Sequence, residues 1–345
     1  MNIAIVSFTR CGALLAQRIL LMLRQQGHRA QGYATAKFSD QYGLTSIDTD
    51  IRSWTGARFT ESEAIIFIGA SGIAVRAIAP WVQQKDADPA ILVIDEKATF
   101  VIPILSGHIG GANKLARELS AELCATPVIT TSSDVNGKFA VDEWAVNHEL
   151  HIENLNEVKY ITAGILEDRE IGLNSILAVE GSLPEGIVMR NHGELGICIS
   201  YDTKKKPFEH TLNLTPKNIV AGVGCSKGIS DNALENSILT ELQKANLPIS
   251  SLQKLCSVEL KKDETALLAF SRKYNIPFQT YSAEELNDTD GNYPSSEFVK
   301  KTTGTDNVCQ RAAAKASENG EIVSAKTIYD GVTVSLARSH RRITF

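Results

Sequence analysis

The chain has no apolar run that reads as a membrane span. Its longest apolar stretch, Ala64–Val82, contains Arg76 and is broken by Gly69, Ser71, Gly72 and Pro80, whereas a spanning helix needs about 20 predominantly apolar residues. Met1–Phe8 is too short for a secretory signal and has no basic n-region. The six cysteines (Cys11, Cys124, Cys198, Cys225, Cys256 and Cys309) are scattered without a CxxC pair, which argues against a disulfide framework or a zinc ribbon. Positive charge is in deficit, 35 Lys and Arg against 40 Asp and Glu, the reverse of the balance that nucleic-acid binding usually needs. A local basic pocket for an acidic small molecule is still compatible with this. No GxxxxGK[ST] occurs, and Gly222–Gly228 is spaced GxGxxxG, not GxGxxG, so nucleotide-dependent chemistry is disfavoured. Repeats and low-complexity tracts are also missing. A cytoplasmic protein that binds neither membrane nor nucleic acid is the expectation.

What is present is an alternation of strand and helix. With 345 residues the chain exceeds what one core usually covers, about 250–300 residues. Asn2–Phe8, Ala64–Gly69, Ala90–Asp95 and Thr126–Thr130 read as strands, the continuous apolar runs suiting a parallel sheet covered on both faces. Gly12–Gln26, with Leu15, Ile19 and Leu23, and Ala112–Cys124, with Leu115, Leu119 and Leu123, read as amphipathic helices. This predicts a doubly wound, three-layer Rossmann-like α/β domain over residues 1–145. Residues 146–215, rich in glycine and short β-like runs, predict a small middle α/β domain. Residues 216–345 predict a second three-layer α/β domain: a strand at Asn218–Val223, a helix capped by Ser230, a capping box at Ser282 and Glu285, a helix over Asn307–Ser317 and a last strand at Val332–Ala337.

Three polar clusters in the first domain are candidates for chemistry. Leu105–Asn113, LSGHIGGAN, follows an apolar run and opens a helix. Paired glycines there let backbone approach a ligand, and the helix start offers N–H groups to an anion. Ser106, His108, Asn113 and Lys114 add side-chain groups. The plain alternative is a strand-to-helix turn with a capping serine and an incidental histidine. Gly69–Pro80 carries Arg76 amid apolar residues, which calls for a carboxylate partner, either on a ligand or inside the protein. Thr130–Asp142 gathers Thr130, Thr131 and Asp134 after a strand, with Asn136-Gly137 readable as a bare turn and Asp142 as a helix cap. Cys225 reads as a small buried residue and not a nucleophile. His148 and His151 lack a third ligand at zinc spacing and read as surface residues.

These strings resemble one family. GIAVRAIAP, FVIPILSGHIGGANKLARELS and PVITTSSDVNGKFAVD resemble the amino-terminal signature of the cobalamin-biosynthesis CbiG family; VAGVGCSKGIS, KKDE, PSSEFV and GTDNVCQRAAA resemble its carboxy-terminal part. The likeness is weakest over residues 148–215. Where the family pattern has glutamate, this chain has Gln310. The resemblance implies hydrolysis of cobalt-precorrin-5A, with opening of the ring A acetate δ-lactone and loss of acetaldehyde. For that chemistry His108, whose ordinary pKa lies near the working pH, would be the general base, Asp134 would orient His108 or the water, and Asn113 with the Gly110 and Gly111 amides would hold the oxyanion. Arg76, Ser106, Lys114, Thr130, Thr131, Gly224, Ser296 and Lys326 would contact the acidic macrocycle. Cobalt would come with the substrate, so no cofactor and no protein-built metal site are expected. The alternative is a non-catalytic tetrapyrrole carrier. Both leave room for a homodimer and for transient contact with precorrin methyltransferases.

Overall fold

The runs AIIFI and AILVI have no polar face to offer water. Both are central strands with every residue buried in the computed structural model, which describes residues 1–84 and 87–345. They belong to the first of two compact units, Met1–Glu143. Its elements are β1 (Asn2–Ser7), α1 (Arg10–Gln25), β2 (Arg29–Thr35), α2 (Ala36–Ser39), β3 (Thr45–Ile47), α3 (Ile51–Glu61), β4 (Ala64–Ile68), α4 (Ser71–Ile78), β5 (Ala90–Ile94), β6 (Phe100–Leu105), α5 (Ala112–Leu123), β7 (Thr126–Pro127), α6 (Ser132–Val135) and the start of α7 (Val141–Asn147).

The seven strands form one sheet in the order β3-β2-β1-β4-β5-β6-β7. Alternate strand residues face opposite ways, and the two faces carry separate cores. Ile3, Ile5 and Ile66 pack with Leu15, Ile19, Leu115 and Leu119 of α1 and α5. Ala4, Val6, Ile65 and Phe67 pack with Trp54, Ala74 and Ile78 of α3 and α4. This is the three-layer α/β arrangement the sequence predicts. One departure matters for function. Strands β1 to β5 are parallel, but β6 runs antiparallel to β5, and β7 is parallel to β6. Leu105, at the end of β6, therefore lies beside Ile91 near the start of β5, whereas the Gly69 amide bonds the Ile94 carbonyl at its end (2.9 Å). The LSGHIGGAN turn and the glycine turn after β4 thus sit at opposite edges of the sheet.

The second unit, Trp144–Phe345, holds two larger sheets. The first contains β8 (Leu150–Ile152), β9 (Ile171–Ser175), β11 (Ile187–Met189), β12 (Gly193–Ile199) and β13 (Phe208–Pro216) in the order β11-β9-β12-β13-β8, with α8 (Leu155–Leu166) packed on it; β10 (Ala178–Glu180) pairs with β19 (Arg342–Thr344). The second has the order β16-β15-β14-β18-β17 and comprises β14 (Ile219–Cys225), α9 (Asp231–Lys244), β15 (Leu252–Val258), α10 (Thr265–Tyr274), β16 (Phe278–Tyr281), α11 (Ala283–Asn287), α12 (Glu297–Thr303), α13 (Val308–Ala316), β17 (Glu321–Tyr329) and β18 (Val332–Arg338). Helices α9 and α10 cover one face and α13 the other, again three layers. Ser230 caps α9 through the Ala233 amide (3.3 Å), and Ser282 with Glu285 forms the expected capping box. No helix of the described residues is long and apolar enough to cross a membrane.

Candidate active site

The turn after β6 is built on Ser106, whose φ of 57° is left-handed, a conformation that costs a non-glycine residue energy unless its surroundings hold it. Its hydroxyl donates to the Asp88 carbonyl (2.9 Å), and its own carbonyl accepts from Ala112 N (3.1 Å). A side chain at Gly110 would put its Cβ 2.3 Å from the Ser106 Cβ, so the chain can double back only with glycine there. Gly111 has a φ of +82° and leads into α5. The amides of Gly111 and Asn113 donate to the His108 and Gly107 carbonyls, each at 2.9 Å. The turn therefore consumes three of the N–H groups at the helix start that the sequence offered to an anion, those of Gly111, Ala112 and Asn113.

What the turn presents is His108. Its Nε2 lies 3.0 Å from Asp134 on α6 and its Nδ1 3.0 Å from Asp142 on α7. All three side chains are largely shielded, at 11%, 11% and 16% exposure. A neutral imidazole has one N–H, but a ring between two carboxylates can donate from both nitrogens only as imidazolium. The bond to Asp142 chiefly, with Asp134 adding to it and burial opposing, raises the His108 pKa to about 9. At neutral pH His108 is a fixed positive charge.

The two carboxylates differ. Asp134 is bonded on both oxygens: Asn113 Nδ2 donates to its Oδ2 at 3.0 Å, His108 bonds the same oxygen, and the Arg117 guanidinium grips Oδ1. Asn113, 1% exposed, also donates to the Thr131 hydroxyl (3.0 Å). Asp142 accepts the Glu143 amide on Oδ1 (3.0 Å) and His108, and it faces a cleft of about 360 Å³. Val82, Gln83, Asp88, Pro103 and Ile109 help to wall that cleft.

Among the candidates, Ser106, His108, Asn113, Thr130 and Thr131 line the cleft, and Asp134 stands behind His108. Lys114 is exposed on α5. Arg76 is exposed on α4 and bonds the Gly72 carbonyl of its own helix (3.0 Å); among the described residues no carboxylate pairs with it, so its apolar neighbourhood did not mean burial. Gly224, Ser296 and Lys326 belong to the second unit. Gly224 ends near Thr333, whose Oγ1 would meet an added Cβ at 2.7 Å, and Ser296 caps α12 through the Val299 amide (3.4 Å). The Lys326 amide donates to the side-chain oxygen of buried Gln310 (3.4 Å), a bond that a glutamate would also accept. Cys225 has its thiol pushed up to about 11 by burial, which keeps it from acting as a thiolate.

Sequence reasoning missed Arg117 and Glu143 and took Asp142 for a cap. His108, Asp134 and Glu143 bring possible ligand atoms within 4.8 Å of one another, but Arg117 bonds both Asp134 and Glu143 (3.4 Å to the latter). A guanidinium already supplies the positive charge that a cation would bring.

Two family models match the chain: cobalamin synthesis G N-terminal over residues 53–134 and cobalamin synthesis G C-terminus over residues 219–337. The cobalt-precorrin-5A hydrolase of Salmonella typhimurium is 34% identical, with 98% of each chain covered. The chain belongs to the cobalamin synthesis G family. The cobalt-precorrin-5A hydrolase of Priestia megaterium is 32% identical over 97% of this chain and 94% of its own. A crystal structure of a putative cobalamin biosynthesis protein G homolog from Sulfolobus solfataricus is 25% identical, covering 98% of this chain and 97% of that one, at a TM-score of 0.44. Membership in the cobalamin synthesis G family makes this chain an enzyme of cobalamin biosynthesis, a hydrolase.

Proposed function

We propose that the substrate is cobalt-precorrin-5A, the compound for which the full-length relatives are named, and that the site opens its ring A acetate δ-lactone and expels the two-carbon fragment as acetaldehyde, giving cobalt-precorrin-5B. The observation that carries this reading is the clamped, positively charged His108 at the wall of a small cleft.

Lactone opening builds negative charge on the carbonyl oxygen, and a preorganised positive charge in a shielded site lowers the barrier more than the same charge in water. His108 is held for that task. The sequence reading gave it the base's role; with both ring nitrogens engaged, it acts here as a cation. Asp134, Asn113 and Arg117 hold it in place. Thr130, Thr131 and Ser106 stand where they can bond the acetate and lactone oxygens. Opening leaves a hydroxyl on the extruded carbon. Loss of its proton, with cleavage of the carbon–carbon bond, releases acetaldehyde, and the conjugated macrocycle takes up the electron pair and then a proton. Cobalt stays with the substrate, and no metal held by protein side chains alone is required. Known small-molecule pockets run to about 300–1,000 Å³, so a cleft of about 360 Å³ suits the lactone edge of the ring and not the whole macrocycle.

The test is incubation with cobalt-precorrin-5A, trapping acetaldehyde and following the macrocycle by mass. Acetaldehyde from wild type, lost in His108→Ala, is the expected result. Binding without acetaldehyde at every pH tried would make the chain a tetrapyrrole carrier.

A further inference from the structure

Hydrolysis needs a group to take the proton of the attacking water, and His108, bonded at both nitrogens, has no lone pair to give. We infer that Asp142, which the sequence offers only as a helix cap, is that proton acceptor; the inference rests on the hydrolase reading above. Two carboxylates flank His108, and the geometry divides their work. Asp134 is bonded by Arg117, Asn113 and His108 and is not among the residues that line the cleft. Asp142 does line it. Its Oδ1 takes the Glu143 amide (3.0 Å) and the ring of His108 (3.0 Å), while Oδ2 takes only His108, at 3.1 Å. An ionised carboxyl group has about four lone-pair sites on its two oxygens, so Oδ2 keeps capacity for a further partner.

The step balances without any further reactant. Water adds through oxygen to the lactone carbonyl, its O–H bond breaks, and the proton goes to Asp142 Oδ2. The ring C–O bond then breaks, and Asp142 returns that proton to the departing oxygen. A carboxylic acid and a hydroxyl result, and Asp142 is again ionised. His108 stays charged throughout, with Asp142, Asp134 and Ser133 around its ring and Arg117 and Glu143 beyond them.

The test uses the full chain with cobalt-precorrin-5A and three variants: Asp142→Asn, Asp142→Ala and Asp134→Asn. Asn at 142 keeps the shape and an acceptor for His108 but is not a base. Positioned proton transfer is worth about 10²–10⁴-fold, so kcat of Asp142→Asn should fall by about a hundredfold or more with KM little changed. Formate should restore part of the turnover of Asp142→Ala, because the cleft can admit a small carboxylate where the side chain was removed. Asp134→Asn should lose less and gain nothing from formate. Turnover of Asp142→Asn within about threefold of wild type overturns the inference. So does a folded Asp142→Ala, checked by thermal unfolding, that formate leaves inactive, since Asp142 would then only position His108. A wild type that releases no acetaldehyde removes the hydrolase reading and this inference with it, whereas an active wild type with an active Asp142→Asn removes this inference alone.

Discussion

His108 has the most to reveal under titration. Its folded pKa of about 9 lies above the ordinary 6.5, so its contribution to stability is full below about pH 6.5 and is lost as pH rises through about 9. A shift of that size corresponds to something on the order of 3 kcal/mol. Urea unfolding of wild type and His108→Gln should therefore show a gap that is wide at pH 6 and narrows towards pH 10. If the positive charge serves the reaction, acetaldehyde release should also decline as pH passes about 9, a limb that His108→Gln should lack. Of this cluster, His108, Asn113 and Asp134 were legible because they fall inside or beside a glycine-marked turn. Arg117 and the role of Asp142 were not, since each meets its partners across 17 to 34 residues of chain, a closeness created only when α6 and α7 fold back on the β6–α5 turn.

Elements were legible where the pattern is strong and lost where it is mixed. The strands β4 and β5 and the helices α1 and α5 fall within a residue or two of expectation, and α9 starts where Ser230 was expected to cap it. The expected strand at Thr126–Thr130 shrinks to Thr126–Pro127, and β2, β13 and α8 went unread; RAQGYAT alternates poorly, and α8 lies in a stretch whose glycines suggested strand and turn. The parallel direction of β1 to β5 follows the expectation, but the change of direction after β5 was not legible, because an apolar run looks the same read against either neighbour. That is why the reversal at β6, which puts the cleft at the starting edge of β5, came only with the fold. Two substitutions test how tightly elements approach one another. An alanine at Gly222 of β14 would put its Cβ 1.8 Å from the Cys309 carbonyl on α13; overpacking of this kind costs about 1–3 kcal/mol or more, and Gly222→Ala should unfold at clearly lower urea concentration. Gly110→Ala should lose more turnover than stability, because the displaced part is the turn that carries His108.

At the scale of the whole molecule, the two family models cover residues 53–134 and 219–337 and leave uncovered the sheet built from β8, β9, β11, β12 and β13, the stretch where the sequence resemblance was weakest. The proposed chemistry needs no resident metal, so prolonged treatment of the protein with a chelator, followed by its removal, should leave acetaldehyde release from cobalt-loaded substrate unchanged. Loss of activity restored by one added divalent ion would mean that Arg117 yields its place between Asp134 and Glu143.

The size of the cleft also bears on the order of events after bond cleavage. A site that grips only the rim of a macrocycle does not have to let the macrocycle go before a two-carbon aldehyde can diffuse away. Departure would then be ordered, aldehyde first and corrinoid last. In steady state the corrinoid product should therefore compete with substrate for free enzyme, while added acetaldehyde should inhibit non-competitively or not at all.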